Sequence, residues 1–203
     1  MTTAVPADAA PVAAAVAMPG YDRASQVFHW TTAAMVMAII MPIGIYAAWI
    51  GDGPRRSYLL EHWHKPFGLL VLVLTVARLA WKGRRPAVVE AEGMRRWEAR
   101  LAGLAHWLLY ALLLLLPLSG LLMSQGAGRP TPVFGLFSVP QMLPLDPALA
   151  AREQIAYRIG KLLHDTILNW ALYVTLFLHV AGALKHRFVD GHRAYFRRMW
   201  GSA

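Results

Sequence analysis

Residues Leu162–Lys185 read LLHDTILNWALYVTLFLHVAGALK. The stretch is long and apolar enough to cross a hydrocarbon core as one helix, which takes about 20 residues. It carries His164 and His179. At about 1.5 Å per residue their spacing is roughly 22 Å along the helix, inside a hydrocarbon thickness of about 30 Å. Fifteen steps of about 100° exceed four full turns by about 60°, so both imidazoles point into a similar sector. Ligating side chains at membrane depth are costly and mark function.

Three more apolar stretches precede it. The first runs from Val27 to Ile50 and contains Pro42 and Gly44, and a proline there kinks a membrane helix without breaking it. The second runs from His64 to Trp81 with Arg78 near its end, and the third from Leu101 to Met123 with Pro117. The fourth starts near Tyr157 or Leu162 and ends near Arg187. The predicted fold is therefore all-α, an integral membrane four-helix bundle. Composition agrees: 57% of residues are hydrophobic and the mean hydropathy is +0.41. Residues 1–20 are rich in Ala, Val and Pro, carry Asp8, and lack the basic start of a signal peptide. They read as a disordered tail, and residues 21–203 as one four-span domain. Residues 125–155 hold five of the thirteen prolines, so this loop is expected to be built from turns and to lie over the bundle as a lid.

The net charge of +9 would point to nucleic acid in a soluble protein. Here the charge lies in blocks beside apolar stretches. One block is Lys82, Arg84, Arg85, Arg95, Arg96 and Arg100, and the other is Arg193, Arg197 and Arg198. In a four-span chain both fall on one side, and basic flanks mark the cytoplasm. Both termini are expected there, and no nucleic-acid partner is expected.

This topology assigns depths to the histidines. His29 and His179 fall toward the cytoplasmic face, and His64 and His164 toward the outer face. Histidine is the common imidazole ligand of iron, and two imidazoles per iron make a centre suited to electron transfer. With no cysteine in the chain, disulfides, iron–sulfur thiolates and covalent haem attachment are excluded. The expectation is two non-covalent b-type haems between the helices, held by His29 with His179 and by His64 with His164. A lone histidine in a helix is more commonly a packed residue, and that reading is kept for His106, which lacks an evident partner. His62 reads as interfacial, and His186 and His192 as headgroup-level. Arg78 and Lys185 stand at the depth of the cytoplasmic haem, and Lys65 and Lys161 at that of the outer one. Each reads either as a propionate partner or as a cation snorkelling to the headgroups. Asp165 is expected to orient His164 by accepting from its ring. Lys161, Arg158 and Arg152 read as steering residues for an anion. Gly68, Gly120, Gly160 and Gly182 are expected to admit porphyrin or a neighbouring helix.

Several pieces together resemble the bacterial cytochrome b561 family of four-helix, di-haem membrane cytochromes. They are Tyr21 with Gln26-Val-Phe-His29-Trp30, His64-Lys-Pro-Phe-Gly68, and Arg78-Leu79. They continue with Leu104-Ala-His106-Trp-Leu-Leu-Tyr110, Pro117, Gly120, Phe134-Gly135, Leu163-His164-Asp165, Leu178-His179 and Lys185-His186-Arg-Phe188. The resemblance covers residues 21–200. It implies the same four ligands, with His106 at a position that is not a ligand. It also implies electron exchange with ubiquinone in a bacterial inner membrane, and for some members oxidation of superoxide. A second reading stays open: a di-haem membrane-anchor subunit of a larger complex, such as a hydrogenase or formate dehydrogenase, docked to a partner redox protein.

Overall fold

The computed structural model describes residues 21–84, 95–190 and 199–200. The expected tail 1–20, Arg85, His192, Arg193, Arg197 and Arg198 lie outside these residues. Among the described residues, four helices are long and apolar enough to cross a membrane: α1 (Arg23–Trp49), α2 (Pro54–Gly83), α3 (Arg96–Gly126) and α4 (Ile155–Phe188). The chain is a multi-pass membrane protein. Its connections α1–α2 and α3–α4 lie at one end of the bundle, the hairpin end. The last residues of α2 and the first of α3 lie at the other, the terminal end.

Each helix outruns the apolar stretch that announced it, because polar residues can continue a helix into the headgroups and water. The largest difference is in α2. It starts at Pro54, ten residues before His64, rather than at His64 itself. Pro54 occupies the first turn, where a missing N–H costs nothing. His64 therefore sits well inside a helix instead of opening one.

The bundle is apolar on its outside and polar in places within. Val73, Val76, Leu115, Val174 and Phe177 face outward, as lipid contact requires. Thr32, Thr75, Ser119 and Thr175 are buried. The Thr75 hydroxyl donates to the Val71 carbonyl and the Thr175 hydroxyl to the Ala171 carbonyl, each at 2.7 Å, so these side chains are satisfied within their own helices. Small residues let α3 and α4 meet closely at the hairpin end. A methyl on Gly126 would strike the Tyr157 backbone, and one on Gly160 the Met123 backbone. At Gly68 and Gly182 a methyl would meet no protein atom within 4 Å, so neither admits a neighbouring helix closely.

Polar ties close both ends. At the terminal end Asp22 caps α1 by accepting from the Ser25 amide at 2.9 Å, and it also accepts from the Trp81 indole at 3.2 Å. There Lys185 donates to Glu98 at 2.8 Å and to Asp190 at 2.9 Å. That bond, with a second from His186, holds the Asp190 carboxyl below its usual range. At the hairpin end Asp52 pairs with Arg152 at 2.8 Å and with Arg56 at 2.6 Å, joining the two connections. The Arg152 bond and the nearby Arg56 charge likewise hold the Asp52 carboxyl low.

The proline-rich loop contains an antiparallel pair, β1 (Thr131–Val133) with β2 (Phe137–Val139), Val133 opposite Phe137. The Gln125 side chain, at the end of α3, donates to the Pro140 carbonyl at 3.0 Å and accepts from the Met142 amide at 2.7 Å. Lys65 donates to the Pro130 carbonyl at 2.7 Å, and the Thr131 hydroxyl to Ser124 at 3.1 Å. The hairpin thus packs beside α2 and the end of α3, while the later part of the same loop reaches the α1–α2 connection through Arg152 and Asp52.

Candidate functional site

Two pairs of imidazoles face each other inside the bundle. At the hairpin end the ring centres of His64 (α2) and His164 (α4) are 5.9 Å apart. At the terminal end those of His29 (α1) and His179 (α4) are 6.3 Å apart. Two metal–imidazole bonds of about 2 Å each, with roughly 1 Å from nitrogen to ring centre on either side, span about 6 Å. Both pairs therefore leave room for one metal atom between them. Among the described residues no group of three or more His, Cys, Asp or Glu is placed to hold a bare ion. A two-imidazole site leaves an octahedral metal four ligands short, which is what a porphyrin supplies.

The hairpin-end pair is set for ligation by α1 and α3. His164 Nδ1 donates to the Leu116 carbonyl at 2.8 Å, and His64 Nδ1 donates to the Ile40 carbonyl at 3.2 Å. A carbonyl only accepts, so each ring carries its proton on Nδ1 and leaves the Nε2 lone pair free. Each ring also lies against a glycine one turn beyond its acceptor. A methyl on Gly120 would come within 2.9 Å of the His164 ring, and one on Gly44 within 3.3 Å of the His64 ring. Proline stands nearby in both helices, Pro42 in α1 and Pro117 in α3. Three wide π-helical turns converge on the same place: Val36–Ile40 holds the acceptor of His64, Leu60–His64 ends on a ligand candidate, and Leu162–Leu168 contains the other. Such turns re-aim side chains and concentrate at functional sites.

The terminal-end pair has different surroundings. Arg78 donates to His29 Nδ1 at 3.2 Å and lies over the Tyr110 ring at 5.2 Å. Lys82 lies over Trp107 at 4.9 Å. Thr32, one turn beyond His29, carries the one buried side-chain oxygen or nitrogen among the described residues that lacks a hydrogen-bond partner. A third imidazole is present as well. His106 lies 5.0 Å from His179, centre to centre, and donates from Nδ1 to the Ala102 carbonyl at 2.6 Å. His106 is thus a packed and hydrogen-bonded residue, as expected, but the imidazole it packs on was not foreseen. Its neighbour was hidden because the direction it faces depends on how α3 crosses α4, which spacing within α3 does not reveal.

The cationic candidates divide. Arg78 reaches the terminal-end pair, whereas Lys185 is engaged with Glu98 and Asp190. Lys65 is bonded to the hairpin, and Lys161 to Asp165. That last pair overturns the role expected of Asp165. Its carboxylate is taken by Lys161 one turn away, an i,i+4 partner, and the His164 ring is oriented by the Leu116 carbonyl instead. His62 is exposed, stacked on Tyr58 at 4.5 Å, and outside the site.

Above the hairpin-end pair opens a cavity of about 700 Å³. Leu60, one turn before His64, and Leu162 and Thr166, on either side of His164, bring it to the level of the imidazoles. Arg56, Arg129, Arg152, Arg158 and Lys161 line it against one carboxylate, Asp52. Arg56 and Arg129 were not singled out from sequence. Arg56 stands in the first turn of α2 and Arg129 in the α3–α4 connection, so only the folded chain gathers them.

The profile of the prokaryotic cytochrome b561 family matches residues 20–202. Cytochrome b561 homolog 2 of Escherichia coli (strain K12) is 31% identical over 179 residues, covering 84% of this chain and 86% of that protein. Cytochrome b561 homolog 1 of the same organism is 27% identical over 184 residues, covering 90% and 98%.

Proposed function

Because the chain belongs to the prokaryotic cytochrome b561 family, and is thus a membrane b-type cytochrome that transfers electrons, we propose that it carries them across the bilayer through two haems. His64 and His164 hold one, His29 and His179 the other. The observation that carries this reading is the pair of facing imidazoles at each of two depths, 5.9 and 6.3 Å between ring centres. A haem held by two imidazoles supplies a reversible one-electron couple with no open iron position.

The chain's own residues do the rest. The Leu116 and Ile40 carbonyls keep the hairpin-end imidazoles in the ligating tautomer. Arg78 occupies His29 Nδ1, the ring nitrogen that carries the proton in the other ligand candidates with a carbonyl partner. A carboxylate at the terminal-end centre would draw this guanidinium off the ring and accept a charge-assisted bond from it. The electron partner in the membrane is a quinone, the lipid-soluble carrier that membership of this family leads us to expect. The hairpin end faces outward from a bacterial inner membrane and both termini face the cytoplasm. The cationic cavity favours a small anionic electron donor at the outer end, with superoxide the leading case.

The test is a pyridine haemochrome assay on detergent-purified protein, followed by quinone reduction in proteoliposomes. Two b-type haems per chain and electron delivery to ubiquinone are expected. One haem or none would overturn the two-centre path. Two haems without quinone turnover would redirect the reading to a subunit that passes electrons to a partner protein.

A further inference from the structure

From Pro130 to Leu145 the chain carries no charged residue, yet this segment lies outside the four spans. Its large apolar side chains are not folded away. Leu136 is 81% exposed, Phe137 62% and Phe134 45%. A contiguous apolar patch on a water-facing loop would be an association hazard, and such patches mark binding surfaces. The hairpin corner adds a second sign. Val133–Leu136 is a tight turn with positive φ at both central residues, 51° at Phe134 and 73° at Gly135. The first central position of such a turn favours Asn, Asp or Gly, and a bulky aromatic there is uncommon. The chain keeps Phe134 in that strained place, where its ring meets Phe67 of α2 edge-on at 5.1 Å.

That contact fixes the depth of the corner. Upstream of Phe67, α2 bears Arg55, Arg56, Glu61 and Lys65. Downstream, no charge appears until Arg78. Phe67 thus stands where the polar overhang of α2 gives way to the hydrocarbon-spanning part. It stacks on Trp63, itself 44% exposed and of the residue type that settles at membrane interfaces. The exposed hairpin face is continuous, through Phe134 and Phe67, with the lipid-facing flank of α2.

We propose that the hairpin Thr131–Val139 is an interfacial membrane anchor, with Phe134, Leu136 and Phe137 seated in the lipid leaflet beside α2. It holds the loop that carries Arg129 against the bilayer, and so fixes one wall of the cationic cavity. The lack of charge along the face matches lipid, and burial of these side chains in acyl chains removes the exposed patch.

The chain has no cysteine, so a single Leu136→Cys gives one nitroxide label site at the hairpin tip, and Ala148→Cys gives a reference in the same loop. Both are reconstituted in vesicles of zwitterionic phospholipid, with power saturation measured against dissolved oxygen and against a water-soluble nickel chelate. The expected result is a label at 136 open to oxygen and shielded from nickel, and the reverse at 148. Equal access to nickel at both sites would overturn the proposal. So would shielding of position 136 from both reagents, which means a protein cover, either a second copy or another chain. Phe137→Cys repeats the measurement should Leu136→Cys fail to assemble. The readout does not depend on haem content, so it stands or falls apart from the electron-transfer reading.

Discussion

The Nδ1 of His164 lies 2.8 Å from the carbonyl oxygen of Leu116. That bond crosses from α4 to α3 and sets the tautomer of the ring. It is possible because Gly120, one turn further along α3, leaves space for the imidazole edge. An alanine at 120 would put its methyl 2.9 Å from the ring carbon Cε1 and 3.0 Å from Nδ1. The ring would have to shift or the helices to part. Gly120→Ala is therefore expected to release the hairpin-end haem while the terminal-end haem stays, lowering haem from about two per chain to about one. Gly83→Ala is the control. Gly83 is exposed at the end of α2, beyond Lys82, nothing lies within 4 Å of the methyl it would gain, and replacing a helical glycine by alanine gains up to about 1 kcal/mol of helix propensity. It should keep both haems. Equal haem loss in both variants would show that Gly120 serves general helix packing and not the His164 seat.

His179 meets two imidazoles, His29 at 6.3 Å and His106 at 5.0 Å. Only one can be its partner on a metal. The larger separation matches two metal–nitrogen bonds with a metal between them, and the smaller is too short for them. His29→Ala and His179→Ala should each remove the terminal-end haem and spare the other. His106→Ala should retain both haems, with a shifted potential at the terminal-end centre, since a neighbouring dipole and donor tune a haem. Loss of one haem in His106→Ala with retention in His29→Ala would exchange their roles.

Asp165 follows His164 directly and looks like its orienting carboxylate, but it is bonded to Lys161. Asp165→Asn is accordingly expected to leave the hairpin-end haem potential within a few millivolts of wild type, read by redox titration. It would free Lys161 to move within the cavity wall. A large negative or positive shift in potential would return Asp165 to the His164 ring.

The facing of histidines at two depths was readable from helical spacing together with the four-span topology marked by the basic flanks, because helical rise is constant and membrane thickness is bounded. What spacing could not show was everything that depends on how helices cross. His106 meets His179, and Gly120 meets His164, only through the relative rotation of α3 and α4. The early start of α2 escaped for a different reason. Hydropathy marks where lipid contact begins, whereas helices continue through polar residues such as Arg55, Arg56 and Glu61. The π-helical turns around His64 and His164 also left no periodic signal, since each is one residue out of step over a single turn. The hairpin at Thr131–Val139 was masked by its prolines, which suggested turns without indicating a register.

The cavity above His64 and His164 gathers Arg56, Arg129, Arg152, Arg158 and Lys161 around one carboxylate, Asp52. Asp52 is already committed to Arg56 and Arg152, and Lys161 to Asp165, so the excess of positive charge is carried toward Arg158 and Arg129. A concave, one-signed surface raises the local concentration of the opposite charge and speeds its arrival by about 10- to 1,000-fold. That effect fades as the screening length drops below about 10 Å at 0.1 M salt. Reduction of the haems by superoxide should slow as ionic strength rises, while reduction by a neutral quinol should not. Arg158→Glu should lower the superoxide rate about tenfold at low salt and flatten its salt dependence, leaving the quinol rate unchanged. Stopped-flow absorbance of the reduced haem band reads both. If the variant slows both donors equally, the arginine supports the centre itself and does not gather the anion; if it slows neither, anionic donors reach the haem by another path.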